Sequence, residues 1–218
     1  MNVLRIQSLL SKLDEQNAHL IAVTKHHPPE EILLLYEMGL RDFGENRVQE
    51  LLEKKEAMPG DIRWHMIGHL QRKKVKKIAP FIHLIQSLDR IPLWEEIDKQ
   101  AKRNHRIIPA LLEIKVAKES SKTGFDSAPL LQFLKDNGHL EYPNVRIDGI
   151  MGMASFTADK QQVKNEFEQL HNIFIKLKRN HFKSPNFQYL SMGMSGDFTI
   201  ALEAGSNMVR IGSLLFSN

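Results

Sequence analysis

Residues 20–31 read LIAVTKHHPPEE. An apolar run, Leu20 to Val23, stops at Thr24-Lys25, and Pro28, Pro29, Glu30 and Glu31 follow shortly after. A continuous apolar run of this kind reads as a strand buried on both faces. Proline in a first helical turn replaces an N–H that has no partner there, and acids beside it meet the positive end of the helix dipole. The prolines and glutamates therefore read as a helix start, and Gly39 is placed to end that helix. The unit is strand, loop, helix, and a lysine sits in the loop.

The unit recurs. Runs at 19–24, 40–44, 63–68, 81–87, 107–116, 146–153, 187–193 and 207–216 read as eight strands. Helical patterns at 28–38, 46–58, 90–103, 127–136, 160–179 and 196–204 lie between them, and an amphipathic stretch, MNVLRIQSLLSKLDEQ, precedes the first strand. Eight near-continuous apolar strands alternating with helices predict a single-domain (β/α)8 TIM barrel over residues 1–218, with an extra N-terminal helix. An open doubly wound sheet is the alternative. No Gly-x-Gly-x-x-Gly follows the first strand to support a dinucleotide fold.

Composition narrows the class. With 42% hydrophobic and 26% charged residues the balance is that of an ordinary soluble globular chain. No apolar stretch approaches the roughly 20 residues of a membrane-spanning helix, and the N-terminus lacks the features of a signal peptide. The absence of cysteine excludes a disulfide framework and thiolate chemistry. A cytoplasmic protein without a membrane partner is expected. The net charge of +4 is mildly basic, and its densest run is QRKKVKK at 71–77. That run either meets phosphates or forms the solvated face of a helix whose apolar residues are Leu70, Val75 and Ile78. No aromatic residues are interleaved to stack bases, so the solvated face is preferred and nucleic acid is not expected as a partner.

Active sites of such barrels lie at the C-terminal ends of the strands. That rule nominates Lys25, Glu45, Asn46, His65, Gly68, His69, Ser87, Asp89, Lys115, Lys122, Met153, Ser155, Ser191 and Ser195. In GMSGDF (193–198), Ser195 stands before a helix that it can cap, and helix-start amides bind anions. RIGS (210–213) adds Gly212, where backbone can approach an oxyanion closely. Barrels often bind phosphate between these two loops. Lys25 reads either as an ion-pair partner of Glu45 or Asp89, or as a nucleophilic amine for an aldehyde or ketone. Arg210 could bind a carboxylate or donate to a ring nitrogen. Together these groups fit a pyridoxal 5′-phosphate (PLP) pocket, and equally a class I aldolase with a phosphorylated sugar.

Six segments carry a resemblance over nearly the whole chain: AVTKHHPPEEI, DFGENRVQEL, WHMIGHLQRKKVKKI, LEIKVAKESSKTGF, GIMGMASF and LSMGMSGDFTIALEAGSNMVRIGSLLF. The chain resembles the YggS/PROSC family of PLP homeostasis proteins. The resemblance implies a barrel similar to the N-terminal domain of alanine racemase. It implies that Lys25 holds PLP as a Schiff base, that Arg210 faces the pyridine nitrogen, and that Ser195 with the amides of Gly212 and Ser213 holds the phosphate. Asn46 would line the ring, with His65, Ile67 and Met194 as further contacts and no metal site. Lys73, Lys115 and the tail Phe216-Ser217-Asn218 depart from the family pattern, away from the Lys25, Ser195 and Arg210 motifs.

What the resemblance implies is a monomeric, non-catalytic protein that stores PLP or delivers it to apo-PLP enzymes. The alternative is a racemase-like enzyme. An arginine donating to the pyridine nitrogen keeps it unprotonated and weakens the ring as an electron sink. The chain ends eight residues after Arg210 without a second domain, and Tyr36, Tyr142 and Tyr189 do not stand at the expected mouth as a second base.

Overall fold

In a computed structural model, which describes residues 2–117 and 123–217, eight parallel strands close on themselves in chain order. They are β1 (His19–Val23), β2 (Asp42–Glu45), β3 (Arg63–Met66), β4 (Leu84–Leu88), β5 (Ile108–Glu113), β6 (Val145–Met151), β7 (Tyr189–Ser191) and β8 (Met208–Ile211). Closure is made by β8 pairing with β1, Arg210 opposite Ile21, while β1 also pairs with β2. A sheet without edges excludes the open alternative.

The helices wrap the outside: α1 (Val3–Glu15), α2 (Pro29–Glu37), α3 (Val48–Ala57), α4 (Arg72–Ile78), α5 (Ile91–Arg103), α6 (Ser127–Lys135), α7 (Lys160–Asn180), α8 (Phe198–Glu203) and α9 (Ser213–Phe216). A single 3-10 turn covers Gly138–Glu141. Alternation along each strand divides the core in two. Outward residues such as Ala22, Phe43, Trp64 and Met66 join the helix faces in one large apolar cluster. Inward residues Ile21, Leu84, Leu111, Met151 and Met208 form a small second cluster inside the barrel. Polar groups, among them Gln86, Ser191 and Arg210, fill the rest of the interior and are buried. Gly149 permits the tight β6–β7 approach: its φ is +155°, and a Cβ there would lie 1.9 Å from the Tyr189 carbonyl oxygen.

The last strand, expected over 207–216, stops at Ile211, and Ser213–Phe216 turn into α9. Alternation and helical period are indistinguishable over so few apolar residues. The basic run 71–77 forms α4, with Val75 and Ile78 buried and Lys73, Lys76 and Lys77 exposed. It is the solvated face of a helix. Among the described residues no helix is long and apolar enough to cross a membrane.

Candidate functional site

The C-terminal ends of the strands open into a cavity of about 690 Å³. Lys25, Asn46, Ile67, Met194, Ser195, Arg210, Gly212 and Ser213, all anticipated from the sequence, line it. Lys25 stands one residue beyond β1, after Thr24, and is exposed. Its amine makes no hydrogen bond or ion pair among the described residues. Both carboxylates that could have taken it are occupied. Glu45 accepts from Lys54 Nζ (2.6 Å) and Thr24 Oγ1 (2.5 Å). Asp89 pairs with Arg90 and with His69 Nδ1 (3.2 Å). The loop holds the Lys25 side chain exposed at the open mouth.

The backbone around Lys25 is pinned by α3. Lys54 Nζ also donates to the Thr24 carbonyl (2.7 Å), and the His26 N–H donates to Glu50 Oε2 (3.0 Å). Burial pushes the Glu50 carboxyl up, but the His26 amide and the nearby Lys54 charge win and hold it below its ordinary value. On the C-terminal side the His27 ring stacks on Phe216 of α9 at 3.6 Å.

Across the cavity, Ser195 does not cap α8. That helix starts at Phe198, and the Asp197 carboxylate before it accepts from the Met194 N–H (2.6 Å). Ser195 Oγ instead accepts from the Gly212 N–H (3.3 Å), joining the β7 and β8 loops. The amides of Ser195, Gly196 and Ser213 have no acceptor among the described residues. Gly212 has room only for hydrogen, since a Cβ would lie 3.0 Å from the Val23 carbonyl oxygen, whereas a Cβ on Gly196 would meet nothing within 4 Å. Free amides beside a hydroxyl form a concavity suited to an anion. Arg210, 4% exposed, closes the floor. Burial pushes its guanidinium down to about 10, with Asp197 and Glu113 pulling the other way, so it stays charged at neutral pH.

His65 is a correction. It faces the barrel interior but lies one layer below Ile67, outside the cavity. Its side chain is 2% exposed and bonds Asp42 Oδ1 (3.0 Å) and the Gln86 amide (3.3 Å). Alternation put it on the right face at the wrong depth. Glu113 went unnoticed in the sequence and does line the cavity. Burial pushes its carboxyl up, against a hydrogen bond from Thr123 Oγ1 (2.8 Å). Lys115, expected at the end of the fifth strand, lies beyond that strand and off the main cavity. Lys122 lies outside the described residues. At the opposite end of the barrel, Asp42, His65 and His83 bring three metal-ligand-type atoms within 4.8 Å of one another. Arg63 already occupies both oxygens of Asp42 (2.7 and 2.5 Å), so the group reads as an ion pair that closes the barrel floor.

A lone amine, an amide concavity and a buried guanidinium around one cavity suit a small anionic carbonyl compound with a ring acceptor. Comparison with known proteins agrees in fold and in sequence. The family model of the alanine racemase N-terminal domain matches residues 2–218. The pyridoxal phosphate homeostasis protein of Aquifex aeolicus (strain VF5) is 40% identical over 203 residues, covering 93% of this chain and 87% of its own. Its human counterpart is 34% identical over 210 residues, covering 90% and 75%. The structure of PipY from Synechococcus elongatus PCC7942 with PLP bound superposes with a TM-score of 0.86 at 32% identity, covering 98% of each chain. Alanine racemase from Bartonella henselae shares the fold alone, at a TM-score of 0.71 and 18% identity, with this chain covering 60% of it. The chain belongs to the pyridoxal phosphate homeostasis protein family, within the alanine racemase N-terminal-domain barrels.

Proposed function

We propose that this protein binds PLP covalently through Lys25 and serves intracellular PLP homeostasis by storing or delivering it. The observation that carries the reading is the unpaired Lys25 amine in a cavity whose far side offers free amides and a hydroxyl for a phosphate. The residues fit the cofactor. When bound, PLP would supply an aldehyde carbon, and Lys25 is the residue whose amine would hold it covalently. The chain's own groups do the rest. Ser195 and the amides of Ser213 and Gly196 would hold the phosphate, Gly196 in place of the expected Gly212, whose amide already donates to Ser195 Oγ; Asn46 and Ile67 would flank the ring, and Arg210 would donate to the ring nitrogen.

A non-catalytic role follows from two features. A charged Arg210 denies the ring nitrogen a proton, which weakens electron withdrawal. Two-base racemisation also needs a second proton acceptor on the opposite face. None of the three tyrosines lines the cavity: Tyr36 on α2 bonds Asp61 (2.8 Å), Tyr142 packs against Trp94, and Tyr189 packs against His19. Apo-PLP enzymes are the recipients that such an open mouth suits.

Three measurements test the reading. The protein should turn yellow with PLP, and borohydride should fix the label on Lys25. It should pass PLP to an apo-enzyme in a coupled assay. It should exchange the α-proton of L- or D-amino acids in deuterated water far below enzyme rates. A label mapping to Lys115 or Lys122 would refute the Lys25 assignment. Fast exchange abolished by Lys25→Ala would restore the racemase reading.

A further inference from the structure

A packed barrel interior needs no polar groups, yet this one carries a continuous line of them. Arg210 donates from Nη1 to Ser191 Oγ (2.6 Å) and from Nη2 to the Gly152 carbonyl (3.0 Å). Ser191 Oγ lies 2.7 Å from Gln86 Oε1, and both residues are fully buried. Gln86 Nε2 lies 3.3 Å from His65 Nδ1 and 3.4 Å from Met208 Sδ. His65 Nε2 reaches Asp42 Oδ1 at 3.0 Å, and Arg63 holds that carboxylate from the other side. The line runs from the floor of the cofactor cavity to the opposite end of the barrel.

The orientation of the Gln86 amide, Oε1 toward Ser191 and Nε2 toward His65, sets its direction. A guanidinium only donates, so the Ser191 oxygen accepts from Arg210 and its one proton goes to Gln86 Oε1. The Gln86 amide then turns its N–H groups toward His65, which must present a bare Nδ1. Neutral His65 therefore carries its proton on Nε2 and gives it to Asp42. Every oxygen along the line points its negative end back toward Arg210, and in a low-dielectric interior such aligned dipoles reinforce one another.

We propose that Ser191 and Gln86 are positioning residues for Arg210: through this directed chain, anchored on Asp42, they hold its guanidinium in the plane that donates to the ring of bound PLP. The Gly152 carbonyl holds Nη2, and the chain through Ser191 supplies the second point, at Nη1, that fixes the plane of the guanidinium. The cofactor half of the proposal rests on the PLP reading, while the direction of the chain does not.

The test separates the two. Nitrogen-15 NMR of the histidines in the PLP-free protein at neutral pH should show His65 neutral with its proton on Nε2. A proton on Nδ1 breaks the chain and overturns the proposal whether or not PLP binds. PLP is then titrated into wild type, Ser191→Ala, Ser191→Thr, Gln86→Leu and Gln86→Glu, each first checked by thermal melting. Ser191→Ala and Gln86→Leu should bind PLP about tenfold more weakly, and the visible band, or its pH titration, should move. Ser191→Thr keeps the hydroxyl and should restore wild-type behaviour. Gln86→Glu still accepts from Ser191 and should bind more tightly than Gln86→Leu. If Ser191→Ala does not fold, the Gln86 pair decides. Folded variants with wild-type affinity and an unmoved band, or Gln86→Glu no better than Gln86→Leu, overturn the positioning role. If wild type takes up no PLP, the proposed function fails first and the His65 tautomer alone decides the chain.

Discussion

Ser195 shows how much one side chain can do without the helix it was expected to cap. Its hydroxyl ties the β7 and β8 loops by accepting from the Gly212 N–H, and its own amide is left free. A phosphate placed there gains the hydroxyl proton and the neighbouring amides at once. Losing one hydrogen bond to a charged group costs about 1.5–3 kcal/mol. Ser195→Ala should therefore weaken PLP about tenfold or more, as read by equilibrium titration of the visible band. Pyridoxal, which lacks the phosphate, should bind wild type more weakly still and should lose little further affinity in Ser195→Ala. Equal affinity of wild type for PLP and pyridoxal would remove the anion concavity from the site. The same arithmetic sets Lys25 apart. The two partners that the sequence offered it, Glu45 and Asp89, already have cationic partners, so no ion pair with them has to break before the amine reacts.

At the scale of elements, α3 governs the loop that presents Lys25. Lys54 is 7% exposed and reaches inward from α3 to Glu45, whose side chain is fully buried, and to the Thr24 carbonyl. Glu50, one turn earlier, holds the His26 amide. Removing one partner of a buried ion pair leaves an uncompensated charge and costs about 3–5 kcal/mol. Lys54→Ala should lower stability by that order in urea melts, and should slow or weaken PLP attachment because Thr24 loses its anchor and Glu50, which holds His26, loses its Lys54 partner. An unchanged melt would show that Glu45 is satisfied in some other way. This element-level wiring was not legible in the sequence. The strand–loop–helix rhythm was legible, and cavity-lining residues on or after six strands, β1, β2, β3, β6, β7 and β8, were named from the strand-end rule or the resemblance, but Ser87 and Asp89 of the fourth strand do not line the cavity and Glu113 on β5 escaped. Depth within the barrel could not be read, which is why His65 was assigned to the mouth when it lies a layer below Ile67. Glu45 was read as a mouth residue for a related reason: it neighbours Asn46 in sequence, but alternation turns it outward to α3 while Gly44 and Asn46 face in.

The whole molecule separates its two tasks by the two ends of the barrel. The C-terminal mouth holds exposed and unpaired groups, while the N-terminal floor is stitched by Arg63–Asp42 and Arg146–Asp148. The floor makes stability sensitive to acid, and the sign can be worked out. The His83 ring is exposed on one side, but the desolvation of its packed side, aided by the nearby His65, pushes the imidazole from 6.5 down to about 4; Asp42 opposes this, and Arg63 and Arg106 add to it. The unfolded chain thus binds a proton at His83 before the folded chain does, so stability is full above pH 6.5 and declines as pH falls toward about 4. Asp42 behaves as the depressed-carboxylate case. Burial pushes it up, but hydrogen bonds from Arg63 and His65 hold it well below its ordinary 3.8, so its contribution is present above that value and is lost only as pH falls further. Two successive acid losses are expected, the first from His83 and the second from Asp42. Melting temperature measured from pH 7.5 to 3 should fall in both windows for wild type. His83→Gln, which cannot take the proton, should flatten the upper window and leave the lower one intact. Equal slopes for the two proteins between pH 6.5 and 4 would mean that His83 is as free to protonate in the fold as in the unfolded chain.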